Sequence, residues 1–135
     1  MNNPKSKWLA YTVLVGLIPI LSRLLVWAIS SENVVPAFSA ADFVAFGLVL
    51  HISNINELEH TSSQNKSWKT LQNGISVIFI ALYSVIFAVL LLAEKSPKLI
   101  DPKSLLYCVI ALATTSMLLS LSVLHRLNAS TRSAR

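Results

Sequence analysis

Polar side chains crowd one half of an otherwise apolar segment. The segment DFVAFGLVLHISNINELEH runs from Asp42 to His60. Groups that hydrocarbon solvates badly stand in its second half, among them His51, Ser53, Asn54, Asn56 and Glu57. Groups of this kind bond across helix interfaces or line paths for water and ions. We expect no metal site, because no second His, Cys or carboxylate stands three or four residues beyond His51.

The angular positions of these groups define two polar faces. At about 100° per residue, five side chains fall on one face: Asp42, Ser53, Asn56, Glu57 and His60. His51 and Asn54 point elsewhere, towards a second neighbour. A helix with polar groups on two sides cannot face lipid there, so we expect it to be the most central helix, enclosed by other helices or by water. Its polar groups then either hold helices together or line a conducting or ligand-sensing surface.

Arg23 has the highest free-energy cost of membrane insertion in the sequence, because a charge inside a membrane helix is penalised by about 3 kcal/mol on insertion scales. Counting back from Ser30, its backbone lies about 10 Å below the end of the first apolar segment. Asp42 stands about one turn into the next helix, across a short connection. We predict an intramembrane pair between Arg23 and Asp42. The alternative is that Arg23 extends to the headgroups while Asp42 stabilises the N-terminus of its own helix.

The composition requires a bilayer as the solvent of this chain. Of its 135 residues, 54% are hydrophobic and 13% are charged, which leaves more apolar surface than a soluble domain of this size can bury. Runs of about 20 apolar residues are long enough to cross about 30 Å of hydrocarbon as helices. The sequence predicts an all-α membrane protein, one domain over residues 1–135, with four transmembrane helices at about 8–30, 39–58, 71–93 and 104–124.

Basic residues predict the orientation of the four spans. One side of the predicted bundle holds seven of them: Lys5, Lys7, Lys66, Lys69, Arg126, Arg132 and Arg135. The other side holds three: Lys95, Lys98 and Lys103. Because Lys and Arg are enriched in cytoplasmic loops, we expect both the N-terminus and the C-terminus to be cytoplasmic.

The fourth predicted helix carries small and hydroxylated residues at close-packing intervals. Ala111 and Thr115 form one such pair, and Ser116 and Ser120 form another. Small residues let helix backbones approach closely in membranes, so we expect these four to lie at helix contacts. The third helix is almost uniformly apolar and is the best candidate for lipid exposure.

Two segments on the predicted cytoplasmic side are available to a partner protein, at 57–70 and 125–135. Within them we single out four candidate docking residues: Lys66, Trp68, Lys69 and Arg126. A solvated connector without a partner is the alternative for the first segment. The net charge of +5 reflects the orientation bias, and the tail STRSAR is too sparse in charge for a DNA-binding arm, so we expect no direct contact with nucleic acid.

Signatures of catalysis do not occur in the sequence. It has no glycine-rich phosphate loop, no HExxH, no GxSxG and no pair of carboxylates placed across a cleft. We therefore expect a non-enzymatic protein without catalytic residues or cofactors. The single cysteine, Cys108, has no partner for a disulfide within one chain.

Between Asp42 and His60, where FGLVL is followed by HISNINEL, the chain resembles KwaA, the small membrane subunit of the bacterial Kiwa antiphage system. The likeness depends on six residues and the four-span layout: Asp42, Phe46, Gly47, Leu48, Asn54 and Asn56. It implies a homo-oligomer of the bacterial inner membrane, a tetramer, that perceives phage attack and carries a cytoplasmic DNA-binding partner subunit. It assigns no catalytic residue.

Two functions follow as hypotheses from these features. The first is a sensor or scaffold subunit of a bacterial antiphage complex, which forms homo-oligomers among membrane lipids and docks a cytoplasmic effector. The second is a small oligomeric ion channel or membrane-depolarising effector, similar in layout to the four-helix membrane protein of the lambda Rex system. In that case Ser53, Asn56 and Glu57 would line the pore.

Overall fold

The computed structural model describes residues 4–31, 34–61 and 65–133, and of residues 4–6, 131 and 132 it describes the backbone alone. Within these ranges the chain is helical and has no strand. The four helices are α1 (Pro4–Ile29), α2 (Ala40–His60), α3 (Lys66–Lys95) and α4 (Pro102–Ser133). Of the basic residues that predicted the orientation, Arg135 and the side chains of Lys5 and Arg132 lie outside the described residues.

Polar caps start the last two helices. The side chain of Asn65 accepts a hydrogen bond from Trp68 N at 3.2 Å, at the N-terminus of α3. Asp101 precedes α4 and accepts from the backbone N–H of Ser104 at 3.0 Å and from its hydroxyl at 2.6 Å. These hydrogen bonds lower the pKa of the Asp101 carboxyl, the Ser104 hydroxyl being the largest cause.

Two helices extend well past the spans predicted from hydropathy. Helix α3 begins five residues before position 71, and α4 continues nine residues beyond position 124. The predicted solvated segments at 57–70 and 125–135 are therefore largely helical where the structure describes them. Hydropathy locates the apolar part of a helix, whereas hydrogen bonding and capping determine where the helix begins and ends.

Three of the four helices are long and apolar enough, by length and composition, to cross a membrane. They are Lys7–Ile29, Lys66–Lys95 and Pro102–Ser130, among the residues that the structure describes. Helix α2, which corresponds to the predicted span 39–58, is not among them. Its polar side chains, described below, lower its mean hydropathy.

The other three helices all pack on α2, as expected for the most central helix. Helices α2 and α3 are antiparallel, because Gly47 lies against Tyr83 and His51 lies against Phe79. Helices α2 and α4 are parallel, because His51 contacts Ser116 and Asn54 contacts Ser120. Large apolar side chains cover the outside of α1 and α3; Leu25 is 64% exposed and Ile78 is 61% exposed. Most of α3 is thus exposed, but one of its faces is buried against α2.

Candidate functional site

Near one end of the bundle, α1 and α2 are joined by a pair of opposite charges. The guanidinium of Arg23 donates from Nε to Oδ2 of Asp42, and its Nη2 lies 3.5 Å from Oδ1. The side chains are 27% and 13% exposed, respectively. Asp42 stands in the first turn of α2, where the helix dipole also favours a negative charge. The structure thus brings together the two residues for which we predicted a pair.

Towards the other end, α1 and α2 are joined through the hydroxyl of Ser53. The indole of Trp8 donates to Ser53 Oγ at 2.8 Å, and the Thr12 hydroxyl lies 2.7 Å from the same oxygen. Thr12 also donates to its own helix at Trp8 O, at 2.9 Å. Since the one Thr12 hydrogen is directed at that carbonyl, Ser53 supplies the hydrogen between the two hydroxyls. Ser53 is therefore engaged with α1.

A node of three side chains joins α2, α3 and α4 inside the bundle. Ser116 Oγ lies 2.9 Å from His51 Nε2, 2.8 Å from the Tyr83 hydroxyl and 2.9 Å from the carbonyl of Leu112. A carbonyl can only accept, so the Ser116 hydrogen is directed at Leu112. Tyr83 and His51 then both donate to Ser116, which places the imidazole hydrogen on Nε2. All three side chains of the node are fully buried.

Asn54 makes the second bond from α2 to α4. Its Nδ2 donates to Ser120 Oγ at 2.9 Å, and Ser120 donates in turn to Ser116 O at 3.0 Å. Because the single Ser120 hydrogen is directed at a carbonyl, Ser120 must accept from Asn54. This argument fixes the orientation of the amide, with Nδ2 towards α4.

Two glycines let neighbouring helices approach α2 closely. A Cβ at Gly47 would lie 2.0 Å from Tyr83 Cζ, so the tyrosine ring occupies the space of the missing side chain. A Cβ at Gly16 would lie 2.8 Å from Phe46 Cδ2. The close approach at Gly47 positions the Tyr83 hydroxyl against Ser116.

The end of the bundle formed by the C-termini of α2 and α4 holds the four candidate docking residues. Leu58, Val123 and Leu127 form a buried cluster there, and Trp68 packs against it. Arg126 lies over the Trp68 ring, 5.6 Å from its centroid, and Lys69 donates to Thr61 O at 2.7 Å. The side chains of Trp68, Lys69 and Arg126 thus make contacts within the chain, and Lys66 and Arg126 are exposed.

Some of the predicted packing residues lie outside the helix contacts of a single chain. Ala111 and Thr115 are exposed, and Thr115 donates to the carbonyl of Ala111 at 2.9 Å, so the prediction that this pair lies at a helix contact is wrong within one chain. Asn56 is also exposed, and Glu57 is half-buried. Helix α4 presents Ser116 and Ser120 to α2 and turns the other pair outwards because the two pairs stand on different faces.

Sequence reasoning missed the buried face of α3. Gln72, Ser76, Phe79 and Tyr83 are buried or half-buried there, at spacings of four, three and four residues. That spacing is typical of one helix face, and three of the four side chains can form hydrogen bonds. The periodicity could have indicated a second polar face in the bundle, opposite that of α2.

Most polar groups of α2 thus form hydrogen bonds with other helices. Ser53 bonds to α1, while His51 and Asn54 bond to α4, so most of the predicted polar surface is interior to the chain. No cluster of three His, Cys, Asp or Glu residues that could hold a metal ion occurs in the described parts of the chain. Such an arrangement joins helices to one another.

Comparisons of this chain with protein-family models, with curated proteins and with solved structures found no match.

Proposed function

We propose that all four helices of this chain cross the bacterial inner membrane, with both termini in the cytoplasm. Helix α2 has 21 residues, which at 1.5 Å per residue reach about 31 Å, enough to span the hydrocarbon. Its polar side chains do not prevent insertion, because Asp42, His51 and Asn54 bond to other helices rather than meeting lipid.

Cysteine labelling in intact cells tests this topology. In a chain carrying Cys108→Ser, the variant Leu99→Cys introduces a thiol between α3 and α4, and Ser67→Cys introduces one near the start of α3. Both positions are exposed. We expect a membrane-impermeant maleimide to reach Leu99→Cys from outside and to reach Ser67→Cys only after the membrane is opened. The reverse pattern, or equal labelling of both, contradicts the orientation.

Within that topology we propose a non-enzymatic scaffold or sensor subunit that forms homo-oligomers and docks a cytoplasmic effector protein. The observation that carries the proposal is the bonding of the α2 polar groups to two other helices, to α1 through Asp42 and Ser53 and to α4 through His51 and Asn54. Groups bonded in this way stabilise a fixed bundle, and His51 and Asn54 are fully buried, out of reach of a passing ion. The exposed apolar faces of α1 and α3 are available to lipid and to other copies of the chain.

The resemblance to KwaA extends this proposal to a bacterial antiphage complex with a tetrameric membrane subunit. Phage plating on cells that express the gene together with its neighbours tests that extension. We expect plaques to fall in number, and we expect the Arg23→Leu variant to lose this protection through misassembly of the bundle. Unchanged plating across a broad set of phages contradicts the defensive role but not the topology.

Docking of the effector is tested at Lys66. This side chain is exposed, so Lys66→Glu reverses a charge at the predicted cytoplasmic end and should change the free energy of unfolding by less than about 0.5 kcal/mol. Lys98→Glu is the matched control, exposed in the loop between α3 and α4. We expect proteins encoded by neighbouring genes to co-purify in mild detergent with the wild type and Lys98→Glu, and to be lost with Lys66→Glu. Equal retention by both variants contradicts docking at this end.

A small oligomeric ion channel is the second candidate, and one observation favours it. Asn56 is exposed and Glu57 is half-buried on the outside of the bundle, where several copies of the chain could enclose them around a pore. Flux of monovalent cations into liposomes containing the purified protein separates the two functions. A steady flux that Asn56→Ala abolishes would establish the channel, whereas liposomes as tight as protein-free ones favour the scaffold.

A further inference from the structure

Buried polar atoms without a hydrogen-bond partner collect on two facing helices. Among the described residues, five such atoms occur: His51 Nδ1, Asn54 Oδ1, Gln72 Nε2, Asn73 Oδ1 and Ser76 Oγ. The first two belong to α2 and the other three to α3. His51, Asn54 and Ser76 are fully buried, and Gln72 is 8% exposed. Each unpaired buried group of this kind is destabilising, so the concentration of five on two packed helices calls for a bonding partner.

The register of α2 and α3 places these atoms along one line. Gly47 faces Tyr83, and the ring of His51 stacks on that of Phe79 with centroids 4.7 Å apart. In both antiparallel pairs the residue numbers have the same sum. Continuing the register by one helical turn places Asn54 opposite Ser76, and a further turn brings Leu58 opposite Gln72. The unpaired groups therefore follow the α2–α3 interface from the middle of the bundle towards the start of α3.

The hydrogen-bonding types on the two helices are complementary. Because Asn54 Nδ2 donates to Ser120, the free atom of this amide is an acceptor. Because His51 donates from Nε2 to Ser116, its free Nδ1 is an acceptor as well. On the face of α3 that packs against α2, the Ser76 hydroxyl and the Gln72 amide are donors, and the third unpaired atom of α3, Asn73 Oδ1, is an acceptor beside that face. A metal ion does not fit beside an amide N–H, whereas water, which both donates and accepts, does.

Only a small molecule can reach these groups. With side chains 0–8% exposed, neither a lipid chain nor a partner protein can approach His51, Asn54, Gln72 or Ser76. At 1.5 Å per residue, Gln72 stands about 9 Å from the start of α3, and Ser76 about 15 Å. The line thus begins close to the membrane surface and continues into the hydrocarbon layer.

We propose that the α2–α3 interface contains a binding site for water molecules, which bridge the acceptors of His51 and Asn54 on α2 to the donors of Ser76 and Gln72 on α3. Buried waters in proteins make about three hydrogen bonds each to otherwise unpaired polar groups. Between His51 and the start of α3, water then joins α2 to α3 by hydrogen bonds. Helix α4, in contrast, forms direct hydrogen bonds with α2. This inference rests on the bundle itself and not on a scaffold or channel role.

Nuclear Overhauser contacts with water test the site. In full-length protein labelled with ¹⁵N and reconstituted in lipid nanodiscs, the side-chain amide protons of Asn54 and Gln72 are observed directly. We expect cross-peaks between water and both amides with the sign of bound water. We also expect Ser76→Ala to abolish the Asn54 cross-peak. The matched control is Ser84→Ala, because Ser84 lies on the same helix, about as far from its midpoint, but exposed and bonded to Ile80 O at 2.8 Å. Ser84→Ala should leave both cross-peaks unchanged.

The melting temperature provides an independent readout. If water bridges Ser76 to Asn54, then Ser76→Ala leaves that water and Asn54 with fewer partners and lowers the melting temperature relative to Ser84→Ala. If the interface is dry, removal of an unpaired hydroxyl raises it or leaves it unchanged. Either a raised or unchanged melting temperature, or the absence of water cross-peaks at both amides of the wild type, overturns the proposal.

Discussion

The ring of Tyr83 lies directly against the backbone of Gly47, in the space where any other residue would have its Cβ. Two ring atoms of Tyr83 and its hydroxyl oxygen would fall 2.0 to 2.4 Å from that Cβ. Because the ring is rigid and fully buried, it cannot move aside at its tip alone. Glycine at position 47 therefore determines how closely α3 approaches α2 and where the Tyr83 hydroxyl meets Ser116.

Replacement of Gly47 by alanine should destabilise the protein. We expect Gly47→Ala to lower the free energy of unfolding by about 1–3 kcal/mol, the usual cost of overpacking, and to separate Tyr83 from Ser116. Thermal unfolding in detergent measures the effect. Gly74→Ala is the control, because nothing lies within 4 Å of a Cβ there and alanine is the better helix former. A Gly47→Ala protein as stable as Gly74→Ala would show that α3 does not pack against this glycine.

The apolar runs of the sequence were enough to predict the four helices, because their length and period carry that information. The central place of α2 was predicted from the polar side chains on two of its faces. The apolar runs were not enough to predict the ends of α3 and α4. The turns at Lys66 and beyond Leu124 are polar, and they are helical because of the Asn65 cap and the packing of Leu127 against Leu58. Such tertiary contacts have no signal in a hydropathy window.

The contacts of the candidate site were predictable from the sequence only where a short loop joins the two helices. Arg23 and Asp42 could be paired from the sequence because a short loop makes α1 and α2 neighbours and fixes their register. The partners of His51 and Asn54 could not, because α4 follows α2 only after a long third helix. The rotation of α4 about its own axis determines which of its faces contacts α2. In the structure that face carries Ser116 and Ser120, while Ala111 and Thr115 are exposed.

The Arg23–Asp42 pair should behave as a unit in a double-mutant cycle. Arg23→Leu and Asp42→Asn each leave one charge without its partner, and we expect each to cost about 3 kcal/mol, the penalty of an uncompensated charge in a membrane helix. The double variant should cost no more than either single one, which with two single costs of about 3 kcal/mol corresponds to a coupling energy of about 3 kcal/mol or more. Unfolding in detergent mixtures of increasing denaturing strength measures the three variants. Strictly additive costs would show that the two side chains act independently.

Loss of the Ser116 hydroxyl should damage the node of α2, α3 and α4. Ser116→Ala leaves His51 Nε2 and the Tyr83 hydroxyl buried without an acceptor, and each such group costs about 1–3 kcal/mol. Ser122→Ala on the exposed side of the same helix removes a hydroxyl without this consequence and should stay within about 0.5 kcal/mol of wild type. The comparison uses the free energy of unfolding of the two variants. Equal stabilities would mean that His51 and Tyr83 do not depend on Ser116.

The start of α4 should lose stability in acid through Asp101. Hydrogen bonds from Ser104 lower the pKa of this carboxyl below its ordinary value of 3.8, which is the value in the unfolded chain. The stabilisation is therefore fully present above that value and is lost as the pH falls through the lowered pKa of the folded state, where protonation removes the charged acceptor. We expect the melting temperature of the wild type to fall more between pH 5 and about pH 3 than that of Asp101→Asn, which keeps a capping oxygen but does not titrate. Since Glu94 and the other carboxylates are common to both proteins, the difference between the two pH profiles isolates Asp101. Parallel profiles would show that the charge at this cap contributes nothing to the stability of the helix.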